Sequence, residues 1–298
     1  MPTQYGNFHD FCRDTGSLRS TLPVCNLFSE SQSRGGNGFG GCDLVGFSVG
    51  GSRRLANLGS IIIDGIAIAL SLFLIWRSNR KRAAVGRREM QLFLLGFIII
   101  SFCEIFTIGG FTLDGAGFSA VHIAAIVATT WILLMNGAVG YQFLDDGTFA
   151  SLALIFGSAV ILFVGTGYIA LDTGFSWTGY WDDTLIAPNR SYSLYTLYQL
   201  VPLVFLSIFF ILEAVIVVRV LGEVRPMFYL VAAMLLFAIG QIFQYVISVH
   251  LCNATNGAIN GGLFESLFTL LAVVMIWVFW SSITEDDWPL PSTETTYT

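Results

Sequence analysis

Apolar residues in this chain run in long blocks, interrupted by short polar connections. A membrane-crossing helix needs about 20 consecutive, mostly apolar residues. Seven blocks meet that length: Leu58–Trp76, Met90–Gly110, Ser119–Gly140, Phe149–Leu171, Tyr195–Val218, Pro226–Val249 and Gly262–Ile283. The pattern predicts an all-α polytopic membrane protein with seven transmembrane helices. Three regions follow: a Cys- and Gly-rich tail over 1–56, a seven-helix domain over 57–283 and an acidic tail over 284–298. Pro202 is expected to kink the fifth helix and free a carbonyl. No predicted helix holds a GxxxG pair, so no dimer motif is read. Tyr195, Tyr198, Trp177, Trp181, Trp76 and Trp280 fall near helix ends, as an interfacial aromatic belt would.

Composition supports the block pattern. Of 298 residues 55% are hydrophobic and only 11% charged, against about 25% charged in a soluble domain. So few charges cannot cover a globular surface. The net charge of -6 says little about partners, and no basic nucleic-acid surface is present. The first 52 residues lack the apolar core of a cleaved signal peptide.

Charge then orients the bundle. The segment Arg77–Met90 carries six of the fourteen basic residues, including the only lysine, Lys81. Basic residues near membrane helices favour the cytoplasm. With this loop cytoplasmic, Arg219 and Arg225 join it, the N-terminus is lumenal and the C-terminus cytoplasmic. Cys12, Cys25, Cys42 and Cys252 then share the lumenal side, where disulfides persist. Their pairing is open among three possibilities. The sequons at Asn189 and Asn253 fall on the same side.

Ionisable groups inside a bilayer are costly, about 2.5–3.5 kcal/mol near its centre on insertion scales. Asp64, Glu104, His122, Gln241, Gln244 and Glu265 all fall in the lumenal halves of their helices and are expected to share one polar cavity. Asn136 and Glu213 are further intramembrane polar groups. Two readings stand: a ligand, ion or proton-relay site, or interhelical hydrogen bonds that fix packing. Some of these groups also serve as candidates for contact with a partner's membrane helices.

Seven helices admit several functions. A retinal pump needs a lysine deep in a helix, and Lys81 is in a loop. A zinc hydrolase needs about three protein ligands, but His9, His122 and His250 have no ligand spacing. No serine-hydrolase elbow occurs. The chain is therefore read as no enzyme, with no catalytic residue, no metal and no cofactor. A heptahelical receptor is an alternative, although the third helix ends NGAVGYQFLDD without an acidic–arginine pair. A small-solute transporter is a weaker alternative, since seven helices do not divide into equal repeats.

Five segments, in order, are GRREMQLFLL, FLDDGTFASL, AIGQIFQYVISVHLC, INGGLFESLFTLLAVVMIWVFW and TEDDWP. Together they resemble the fungal chitin synthase export chaperone family over about residues 8 to 290. The family-like positions are Gly86, Arg87 and Glu89, Asp146, Gly147 and Thr148, Gly240 and Gln241, Cys252, and Asp286 and Asp287. The Gly-rich stretch Ser31–Gly41 has no place in that pattern. The resemblance implies a multi-pass endoplasmic reticulum membrane chaperone. Its client is a chitin synthase, which it helps to fold and export in support of cell-wall chitin synthesis.

Three further site expectations follow. Arg87 and Glu89, with Asp145, Asp146, Gly147 and Thr148, are candidate cytoplasmic contacts. Asp or Thr in that turn can equally cap the next helix. Glu285, Asp286 and Asp287 are a candidate export signal read by vesicle coat proteins. Membrane lipid is the remaining partner.

Overall fold

In a computed structural model, the apolar blocks fold as helices because their interiors let the i→i−4 ladder run, and polar caps and glycines stop it at their ends. The structure describes residues 5–8, 22–28, 44–48, 54–55, 57–108, 115–142, 147–181 and 191–284. Seven helices are long and apolar enough to cross a membrane: α1 Leu58–Ser78, α2 Arg87–Ile108, α3 Gly115–Val139, α4 Phe149–Phe175, α5 Tyr192–Leu221, α6 Arg225–Ala254 and α7 Gly261–Ile283.

Start and stop chemistry is local. Asn57 accepts from Ser60 N at 3.3 Å, Thr148 from Ser151 N at 3.2 Å and Ser191 from Leu194 N at 3.4 Å, each satisfying a free amide at a helix start. Gly222 ends α5 in the left-handed region at φ +67°, and Pro226 opens α6 where no N–H is needed. Helices α4 to α6 outrun their apolar cores because polar turns such as Tyr192–Tyr195 continue the ladder.

α3 is the central helix. Its apolar window is 67% buried, against 22–44% for the other six. It packs on α2, α4 and α5, while α7 packs on α6 and α1. The core reflects this, with Leu133 of α3, Phe93 of α2, Phe209 of α5 and Phe279 of α7 in one cluster.

The N-terminal region is more than a polar tail. Pro23–Leu27 forms a short 3₁₀ turn whose Pro23, Val24, Cys25 and Leu27 are buried. With Phe8 and Phe28 it packs on Ala120, Ile123, Ala170 and Leu194, capping one end of the bundle. A two-residue hairpin pairs β1 (Phe47–Ser48) with β2 (Arg54–Leu55), and Val45 N donates to Gly257 O at 2.9 Å. We call this the tail end. The opposite end carries Arg77–Met90 and is the basic-loop end.

Two expectations about aromatics are corrected. Trp280 is 4% exposed and donates to Val85 O at 2.9 Å, so it fixes the basic loop rather than anchoring the interface. Tyr198 faces a cavity between the helices. Trp76 is half exposed, with the Arg80 guanidinium 4.2 Å from its ring. The fifth helix accommodates Pro202 by a π turn over Thr196–Leu200, where Val201 N reaches back five residues to Thr196 O.

Candidate functional site

Six helical segments and the tail line a cavity of about 320 Å³ near the tail end. Asp64 of α1, Glu104 of α2, His122 of α3, Gln241 and Gln244 of α6 and Glu265 of α7 all line it. The half-bilayer position of each residue thus translates into a shared space. Leu22 and Pro23 of the capping segment line it too.

Its acids stand close together. Asp64, Glu104 and Glu265 interact electrostatically with one another. Ser266 Oγ donates to Glu104 Oε1 at 3.4 Å, and Thr269 Oγ1 to Glu265 Oε1 at 3.0 Å. His122 Nε2 is 3.7 Å from Glu104 Oε2, too long for a hydrogen bond. Asp64 Oδ2, both His122 nitrogens and Gln244 Oε1 are buried with no hydrogen-bond partner.

Several lining residues were not among those expected at the cavity: Tyr198, Gln199, Tyr245, Ser266 and Thr269. Tyr198 and Gln199 sit on the π turn before Pro202; Gln244 and Tyr245 sit on a second π turn, Phe243–Ile247. Tyr245 OH donates to Gln199 Oε1 at 2.9 Å, joining the two turns. Polar residues at matching depths in two apolar helices were the available signal. The π geometry that turns them inward leaves no hydropathy mark. Gly261 permits this approach, because a Cβ there would collide with Phe243 O and Ser248.

The basic-loop end uses its polar groups differently. Lys81 Nζ donates to Ser281 O at 2.9 Å, and Trp277 Nε1 to Ser78 Oγ at 2.8 Å. Gly86 takes φ +68°, and its carbonyl accepts from Asn136 Nδ2 at 3.1 Å. Glu89 is fully buried, and its Oε1 accepts from Gly147 N at 3.3 Å. Two of the candidate contacts, Glu89 and Gly147, are therefore bonded to each other. Thr148 caps α4, and Arg87 opens α2. Glu213 is buried beside Gly137 and away from the cavity.

Other candidates fall elsewhere. Cys25 and Cys252 are disulfide-bonded, and Cys103 is a free, buried thiol. Cys12, Cys42, His9, Ser31–Gly41, Asp145, Asp146, Asn189, Glu285, Asp286 and Asp287 lie outside the described residues. Among the described residues, no group of three or more His, Cys, Asp or Glu is arranged to hold a metal ion. An element that sequence reading passed over is Asp172. It is fully buried at the end of α4, and its carboxylate accepts from Thr178 Oγ1 at 2.9 Å and Trp181 N at 3.0 Å.

Comparison with known proteins extends over nearly the whole chain. A family model described as chitin synthase export chaperone matches residues 4–294. A chitin synthase export chaperone of Coccidioides immitis is 27% identical over 294 residues, covering 95% of this chain and 83% of that protein. One of Aspergillus fumigatus is 26% identical, covering 95% and 84%. One of Cryptococcus neoformans is 26% identical, covering 95% and 76%. No solved structure matches.

Proposed function

This chain belongs to the chitin synthase export chaperone family, and from that premise we propose that it acts in the endoplasmic reticulum membrane, where it helps a chitin synthase fold and leave. The observation that carries the reading is the family match over residues 4–294 on seven membrane-competent helices. Its role is non-catalytic and its product is correctly delivered synthase, hence cell-wall chitin. A client with many membrane helices exposes unpaired polar groups while folding, and a second bundle can shield them.

We infer a lumenal N-terminus and a cytoplasmic C-terminus. Six basic residues in Arg77–Met90, with Arg219 and Arg225 at the same end, support this orientation. So do disulfide-bonded Cys25 and Cys252 at the other end. The proposed division is a lumenal tail over 1–56, a membrane domain over 57–283 and a cytoplasmic tail over 284–298. Cys12 and Cys42 complete the proposed disulfide set.

Arg87 with the Asp145–Thr148 turn is proposed to meet the client's cytoplasmic part, and buried Glu89 to hold that turn in place. The Glu285–Asp287 run is proposed as the signal for coat proteins. Asp64, Glu104 and Glu265 of the cavity are proposed as intramembrane contacts with the client's helices.

The test is deletion of the gene, followed by imaging of a tagged chitin synthase. Retention inside the cell, relieved by the restored gene, is expected; normal surface delivery in the deletion strain overturns the proposal. A photo-cross-linker at Gln142 is expected to capture the synthase. Truncation after Ile283 is expected to slow exit of both proteins.

A further inference from the structure

The cavity has three properties that a packing void lacks. The first is unpaired acceptors. Asp64 is 3% and Gln244 7% exposed, both line the cavity, and Asp64 Oδ2 and Gln244 Oε1 have no partner. A buried polar group left unbonded is costly, whereas an apolar void has no such groups to satisfy.

The second is the kind of polar group. Three carboxyls, Asp64, Glu104 and Glu265, face a space that no lysine or arginine lines among the described residues. His122 is its one basic side chain, and neither of its nitrogens is hydrogen-bonded. The rest of the wall is largely aromatic and aliphatic, with Phe93, Phe97, Phe210 and Phe237 among it.

The third is the backbone. Two π turns bring Tyr198, Gln199, Gln244 and Tyr245 to the same space. Such turns break the regular ladder and are frequent at functional sites. A volume of 320 Å³ falls at the small end of ligand pockets, which span about 300–1,000 Å³.

We propose that this cavity is a binding site for a small organic ammonium, a protonated amine carried on a compact apolar body. The ammonium donates to Asp64 Oδ2 and Gln244 Oε1, the two cavity acceptors left unpaired. Aromatic faces attract a cation and take up the apolar body. A bare metal ion is disfavoured by the donor arrangement and leaves the apolar wall unused. The headgroup of an aminolipid and a free amine share this chemistry.

The probe is 2-phenylethylamine, added to the purified full chain in mild detergent and followed by calorimetry and melting temperature. Saturable binding is expected, with no response to the uncharged 2-phenylethanol or the anionic 3-phenylpropionate. Asp64→Asn is expected to weaken binding by about tenfold or more. Glu265→Gln carries the same expectation should Asp64→Asn fail to accumulate. Leu206→Trp, which fills the cavity and keeps its acids, is expected to abolish binding.

Equal responses to all three probes, or unchanged affinity in the variants, overturn the site. So does a cavity that holds water only, or one that ignores the amine and cross-links to a basic side chain of a client helix. Nanodiscs separate the two sources: competition by phosphatidylethanolamine over phosphatidylcholine identifies a headgroup, and its absence a free amine. Either supports the ammonium site. The readout needs no client, so it stands apart from the test of chaperone function.

Discussion

The tail end and the basic-loop end of the bundle contain similar polar groups and place them differently, around a cavity at one and against backbone of other elements at the other. At the basic-loop end, Lys81, Trp280, Asn136 and Glu89 each bond a backbone group of another element. Those bonds tie the loop between α1 and α2, and the start of α2, to α3, to the turn before α4 and to α7. At the tail end, Asp64 Oδ2, His122 and Gln244 Oε1 line a cavity unbonded. Bonded polar groups specify a packing, while unbonded ones around a space leave room for a partner; Glu89 Oε2 and Glu213 Oε2 at the basic-loop end are unbonded too but do not line the cavity. Removing a polar group should therefore destabilise the first end and leave the second nearly untouched.

The largest effect is expected at the joint behind the cavity. Gly261→Val drives a Cβ into Phe243 O, a backbone atom that cannot yield, at a cost of about 3 kcal/mol. The detergent melting temperature should collapse. A small loss there means that the π turn of α6 adapts freely.

Glu89→Leu comes next, because it strands Gly147 N and loosens the entry to α4. About 2 kcal/mol is expected, read as a lower melting temperature. Trp280→Phe keeps the aromatic packing and loses only the bond to Val85 O. It should cost about 1 kcal/mol and speed proteolysis within the Arg77–Met90 loop. Asp64→Asn removes an unbonded carboxylate oxygen and should shift stability least, by about 0.5 kcal/mol in either direction. A larger loss for Asp64→Asn than for Glu89→Leu erases the contrast between the two ends.

Much of the architecture was legible in residue order. Apolar blocks of spanning length announce helices because lipid tolerates no unbonded backbone. The grouping of Asp64, Glu104, His122, Gln241, Gln244 and Glu265 was legible as well. Depth along each helix is readable from residue count, and polar groups at one depth turn away from lipid toward each other. Tyr198, Gln199 and Tyr245 were not, since their inward direction depends on π turns. Trp280 looked like an interface anchor because its distance from the helix end is visible, while its partner, Val85 O, is 195 residues away.

The amino-acid sequence by itself determined the number of helices, their approximate limits, the polar depth shared by six residues, and the family. These follow from local composition and from ordered motifs. Tertiary structure alone decided that the N-terminal region caps the bundle, that Glu89 spends its carboxylate on Gly147, and that the polar residues of α1, α2, α3, α6 and α7 surround a space rather than fill it. Each of those depends on rotation and close approach between distant segments, which no local pattern encodes.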